Sequence, residues 1–226
     1  MQKQGGGAGR FAFWRKPVGK SAAALRDDES FVEKAEAELP ALKRAREIAR
    51  LFRGGDDGLL KGIARLLEAE GLNIVGVADF APELLAPLGC IAGPPPDAEA
   101  EADIAFGQRL IEALSPFDVG QGAVVARERT LAVEAAEGTD AMLARVAEMR
   151  SSGRLKLKGR VGVFVKAAKR GQDVRFDLPA VGLGTIETAR RAELAGVAIA
   201  AGQALIAERE AFAAAAEDAG LFVVGF

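Results

Sequence analysis

Five short apolar runs restrict this fold most: Gly122–Ala126, Thr130–Ala135, Val161–Lys166, Gly196–Ala200 and Leu221–Phe226. Each has strand length, and helix-length amphipathic segments or a tight turn separate them. GAVVA and TLAVEA flank a short RER turn and predict a hairpin. TDAMLARVAEMR predicts a helix with Thr139 at its cap, and TIETARRAELAG another. The last helix opens near Glu208–Glu210, before the closing strand. DVRFDL (Asp173–Leu178) alternates polar with apolar residues and stops at Pro179, so it too predicts a strand. The class is α/β, a mixed sheet with flanking helices.

Upstream, DDGLLKGIARLLEAEG carries a helical stripe at Leu59, Leu60, Ile63, Leu66 and Leu67, and Gly71 stops it. Ser30 caps an earlier helical stretch that ends at Gly54-Gly55. LNIVGV (Leu72–Val77) predicts a buried strand, ELLAPLGCIAGPPPD an irregular link, and AEAEADIAFGQRLIEAL a helix ended by Ser115-Pro116. Residues 1–28 are Gly-rich, basic and aperiodic, which predicts a flexible tail ahead of one α/β domain over 29–226. GGGAG at Gly5–Gly9 lacks a preceding strand, so a phosphate-cradling loop is not expected there.

Composition removes whole chemistries. There is no His and no Tyr, and Cys90 is the single Cys. That excludes an imidazole base, a Ser-His triad, a phenolic acid, an intrachain disulfide and Cys-rich zinc sites. Acids and bases must be carboxylates, lysines, or water on a hard metal ion. No uncharged apolar stretch reaches spanning length, and no secretion signal is visible, which points to the cytoplasm.

Four segments can carry chemistry. In KAAKRGQDVRFDLPAVG, a strand would put Asp173, Arg175 and Asp177 on one face. Two carboxylates about a guanidinium suit a divalent cation and a phosphate, or merely a solvated ion-pair ladder. In VEAAEGTDAML, Glu134 and Glu137 end a strand, Gly138 turns the chain, and Thr139 and Asp140 open a helix. A helix start favours an anion, whereas carboxylates there favour a cation or simply the helix dipole. From Arg145 to Arg175 ten basic residues face two acidic ones, Glu148 and Asp173. That run, Lys166 and Lys169 included, suits an anionic partner. Aromatics barely interleave with it, so nucleic acid is not expected. In DVGQGAVV, Gly120 and Gly122 about Gln121 allow a close approach to a ligand or a neighbouring strand.

These blocks, in this order and with a terminal LFVVGF, resemble one family over residues 50–226. It is the UDP-2,3-diacylglucosamine pyrophosphatases of lipid A biosynthesis, the variety unrelated to the calcineurin-like enzymes. The resemblance is to their C-terminal catalytic domain. It implies Mg²⁺-dependent hydrolysis of this nucleotide-activated diacylglucosamine lipid to lipid X and UMP. It also implies cytoplasmic work at the inner face of the inner membrane, peripheral on an anionic surface. A homo-oligomer is left open. By motif, Gln172, Asp173, Arg175 and Asp177 fall in the catalytic block. Gln121, Gly122, Thr139, Lys166 and Lys169 are expected to touch substrate, and Asp173, Asp177, Glu134, Glu137 and Asp140 to hold the metal. The chain departs from the pattern at Arg170, where Pro is usual, and at Ala200-Ala201-Gly202, where Glu-Ala-Gly is usual. The family's first domain is not recognisable in residues 1–40. A non-catalytic binder of lipid X or nucleotide is the alternative expectation.

Overall fold

The computed structural model describes residues 56–72, 74–175 and 177–226. The expected tail, the Ser30 helix and the Gly54-Gly55 stop lie outside the described residues. The described chain runs α1 (Asp56–Ala69), α2 (Val77–Phe80), β1 (Gly89–Ala92), α3 (Ala98–Leu114), β2 (Gly122–Ala126), β3 (Arg129–Val133) and α4 (Gly138–Ser151). It continues with β4 (Val163–Lys166), β5 (Ala180–Val181), α5 (Leu183–Arg191), β6 (Gly196–Ile199), β7 (Leu205–Ile206), α6 (Arg209–Asp218) and β8 (Phe222–Gly225).

Six strands form one mixed sheet in the order β1-β8-β6-β4-β2-β3, while β5 and β7 form a small parallel pair. β4, β6 and β8 are mutually parallel, and β1, β2 and the hairpin partner β3 extend the sheet by antiparallel pairing. This is the expected mixed α/β sheet with flanking helices. Strand periodicity decides the layers. Val163 and Val165 point with Ala123 and Ala198 toward α3, packing on Ile104 and Ile111. Phe164 and Val124 point the other way, toward Met142 and Leu143 of α4, Ile186 of α5 and Phe212 of α6. Val163, Phe164 and Val165 are fully buried, so each contributes roughly 1.5–3 kcal/mol of apolar burial.

The β2–β3 turn is held from below. Arg127 and Glu128 both adopt left-handed backbone, with φ of 55° and 53°. The Glu128 N–H donates to the buried Asp103 carboxylate of α3 at 2.6 Å. Burial pushes the Asp103 carboxyl above its ordinary range, and the backbone N–H groups of Glu128 and Arg127 partly oppose that.

Several local expectations fail. The described part of Leu72–Val77 forms no strand, and Val75 is 63% exposed. β1 already occupies the sheet edge beside β8, and the run pairs with no strand. That edge strand arises inside the segment expected to be irregular, where flanking Gly and Pro masked four strand residues. In α1, Ile63 and Leu67 are exposed, and the buried positions are Gly62 and Ala64. Most consequentially, Asp173–Leu178 is no strand: the chain turns at Val174–Arg175, and the Asp177 N–H reaches the Asp173 carbonyl at 3.3 Å. The Asp173 carboxylate accepts the Arg175 N–H at 3.2 Å. Such local side-chain bonding favours a turn over a ladder.

Candidate functional site

The polar residues of interest collect at one edge of the sheet because of strand direction. β4 ends at Lys166, and antiparallel β2 begins there, with Gly122 opposite Lys166. β3 runs back to the same edge and delivers Glu134, whose N–H donates to the Gly122 carbonyl at 2.8 Å. Alternation puts Gly122, Glu134 and Lys166 on the α4 side, with Val124, Ala132 and Phe164. The carboxyl ends of parallel strands are where open α/β sheets hold ligands.

Glu134, Thr139 and Lys166 form a closed triangle. The Lys166 Nζ donates to Glu134 Oε2 at 2.8 Å and to Thr139 Oγ1 at 2.8 Å. The Thr139 hydroxyl donates to Glu134 Oε1 at 2.8 Å. The Lys166 side chain is only 4% exposed and that of Glu134 11%. A Cβ on Gly120 would lie 2.7 Å from Glu134 Cγ, and one on Gly122 2.6 Å from its Oε2. The close approach foreseen for these glycines is therefore to Glu134 of the neighbouring chain segment. Thr139 does not cap its helix. Glu137 holds the cap position, with no side-chain cap bond, and the Thr139 hydroxyl is spent inside the triangle.

Beside the triangle lies a cleft of about 460 Å³ lined by Glu137, Thr139, Asp140, Gly182, Gly184 and Thr185. Two helices, α4 and α5, open onto it, and neither cap residue, Glu137 or Gly182, makes a side-chain cap bond. Their first-turn N–H groups and dipoles favour negative charge there. Glu137 is held by Arg145 at 2.8 Å. Asp140 is exposed and has no hydrogen bond or ion pair with the described residues.

The segment after β4 is tied back to the same edge. The Gln121 amide donates to Asp177 Oδ2 at 3.1 Å, and the Gln172 amide donates to the Asp177 carbonyl at 2.9 Å and also to its carboxylate. Lys169 pairs with Asp118. Asp173 is elsewhere: it binds Arg175 through both oxygens, at 2.9 and 2.7 Å. The Arg175 guanidinium holds the Asp173 carboxyl below its ordinary range. Asp173 in turn, with Glu68 of α1 at 2.7 Å, raises the Arg175 pKa. This group borders a second cleft, of about 430 Å³, with Lys61 and Arg65.

The structure thus joins Gln121, Gln172 and Asp177, and joins Glu134, Thr139 and Lys166, but gives Asp173 and Asp177 different partners. Among the described residues no three carboxylates gather as a metal cluster. Both Glu134 oxygens are engaged by Lys166 and Thr139. Mg²⁺ commonly binds through one or two carboxylates completed by substrate phosphates and water. Asp140 and Glu137 beside the cleft suit that limited kind of donor set. Sequence reading missed Glu68, which is 107 positions from Arg175 and carries no local signal. It also missed the cleft role of Gly182, Gly184 and Thr185, although Gly-Leu-Gly-Thr at a helix start was a usable cue.

An α/β domain with its polar groups at the strand ends and two helix starts on one cleft has the architecture in which open sheets commonly hold ligands. The LpxI C-terminal domain family matches residues 87–224, and the chain belongs to that family. The UDP-2,3-diacylglucosamine pyrophosphatase LpxI of Caulobacter vibrioides is 44% identical over 173 residues, 76% of this chain and 62% of that relative. The chain thus spans about three fifths of that relative's length. No helix among the described residues is long and apolar enough to cross a membrane.

Proposed function

We propose that the chain hydrolyses the pyrophosphate of UDP-2,3-diacylglucosamine to lipid X and UMP, with Mg²⁺, in lipid A biosynthesis. The observation carrying this reading is the 44% identity to a protein of that named activity, joined to a family match spanning every site residue from Asp118 to Thr185. The cleft supports it. Its two helix starts favour the diphosphate, and Asp140 and Glu137 are placed to share Mg²⁺ with phosphate oxygens. The metal would neutralise charge on the pyrophosphate. Asp177, fixed by Gln121 and Gln172, lies three residues before Ala180 of the cleft wall and is the carboxylate proposed to act on the attacking water. Arg175, which lines the second cleft with Lys61 and Arg65, is proposed to meet the anionic substrate from that side, exchanging part of its contact with Asp173 or Glu68 for a phosphate oxygen.

The test is release of UMP from UDP-2,3-diacylglucosamine with Mg²⁺. Asp177→Asn is expected to lower kcat on the order of 10²–10³ with the fold intact. Full activity in that variant would refute its assignment. A second reading is favoured by the internal pairing of Asp173 with Arg175 and of Lys169 with Asp118. There the chain binds lipid X or nucleotide without turnover. Lipid X binding with no UMP release would establish it. Exposed Arg154, Lys156 and Lys158, in the link before β4, also support peripheral attachment to an anionic leaflet. High salt should release such a protein from vesicles, and retention until detergent is added would contradict it.

A further inference from the structure

We infer that Glu134 and Lys166 are positioning residues whose joint task is to hold the Thr139 hydroxyl, and with it the first turn of α4, at the wall of the cleft. Sequence reading assigned Glu134 to metal and Lys166 to substrate, but the geometry assigns them to each other. Lys166 is buried at the end of β4 and Glu134 is buried after β3. Both Glu134 oxygens and two Lys166 donors are spent within the triangle. Thr139 is the member that lines the cleft.

Three features make this more than an incidental core ion pair. The bond directions are fixed: the ammonium can only donate, so the Thr139 oxygen accepts from Lys166 and must send its own proton to Glu134. The pair arrives from two different strands, so the hydroxyl is referred to the sheet rather than to its own helix. Room for the carboxylate is made at Gly120 and Gly122, where a Cβ would approach within 2.7 and 2.6 Å of Glu134 side-chain atoms. The Glu137 side chain is turned to Arg145 and caps none of the α4 N–H groups, so no local cap fixes this helix start. The Thr139 tether replaces one.

A core role and a positioning role separate in the double variant Glu134→Leu/Lys166→Met. Replacing a buried ion pair by apolar residues of similar size commonly preserves stability. The expected result is a retained thermal midpoint together with faster amide hydrogen exchange at Ala141 and Met142, whose N–H groups make the first intrahelical bonds of α4. The kinetic readout rests on the proposed pyrophosphatase reaction. There kcat for UMP release should fall about 10- to 100-fold, with KM moving less. Thr139→Val should reproduce that fall, Thr139→Ser should restore activity, and Thr139→Val added to the double variant should cost nothing further. Wild-type exchange at Ala141 and Met142 and wild-type kcat in a folded double variant would overturn the inference. Should the double variant not fold, Thr139→Val decides, and wild-type exchange in it overturns the proposal. A parent protein that releases no UMP would refute the proposed reaction, while hydrogen exchange would still judge the tether.

Discussion

Two of the carboxylate–cation pairs among the described residues have similar lengths and opposite physics. Glu134–Lys166, at 2.8 Å, lies in the core with side-chain exposures of 11% and 4%. Asp173–Arg175, at 2.7 Å, lies in a turn with side-chain exposures of 20% and 34%. In the first, water is excluded, so each charge depends on its partner, and breaking the pair leaves an ion that cannot be solvated. In the second, water and salt can replace the partner. Distance alone does not define what an ion pair does. The buried pair can fix geometry. The exposed pair is the one proposed above to open to a phosphate.

The largest effect should come from breaking the first pair from one side. Lys166→Ala should cost about 3–5 kcal/mol, because the Glu134 charge is left buried and uncompensated. For a domain of this size that is about 2–4 °C per kcal/mol in melting midpoint. A loss no greater than that of an exposed pair would erase the distinction between the two regions.

Asp103 sharpens the comparison, since it is a buried carboxylate held by backbone N–H rather than by a cation. Asp103→Ala should cost about 1–3 kcal/mol by orphaning N–H groups at the β2–β3 turn, as measured by urea unfolding. Asp103→Asn keeps an acceptor and should cost less. The sign of the pH effect is defined. The folded-state pKa lies above the ordinary 3.8, so the folded protein holds the proton more tightly. Stability from this group therefore falls as pH rises through the window above 3.8. The Asn variant should lack that slope, and an unchanged slope would remove Asp103 as its source.

The smallest effect belongs to the exposed pair. Glu68→Gln should barely move the melting midpoint and should move it less still in high salt. Asp173, the other carboxylate on Arg175, has the opposite pH sign to Asp103. A lowered folded-state pKa gives stabilisation that is present above 3.8 and lost as pH falls through the lowered value. Asp173→Asn should remove that acid-side contribution. A large loss at neutral pH would show that this pair, too, is structurally essential.

Local pattern settled a good part of this protein. The hairpin, the buried strand through Phe164, the helices at 98–114 and 138–151, the closing strand and the α/β class are all legible as runs of period two or near four. Residue types limited the chemistry to carboxylates, basic side chains and hard metals, because His, Tyr and paired Cys are missing. Tertiary structure decided the rest. Alternation in Asp173–Leu178 has the strand period, yet a carboxylate-to-backbone bond within two residues captured it as a turn. No pattern placed Glu68 against Arg175, Asp103 beneath the hairpin, or Thr139 between two strand ends. Those contacts depend on which elements pack together, and short-range periodicity is blind to partners far along the chain. Sequence specified which groups could ionise, but burial and strand direction determined which of them are locked in the core and which stay open to a ligand.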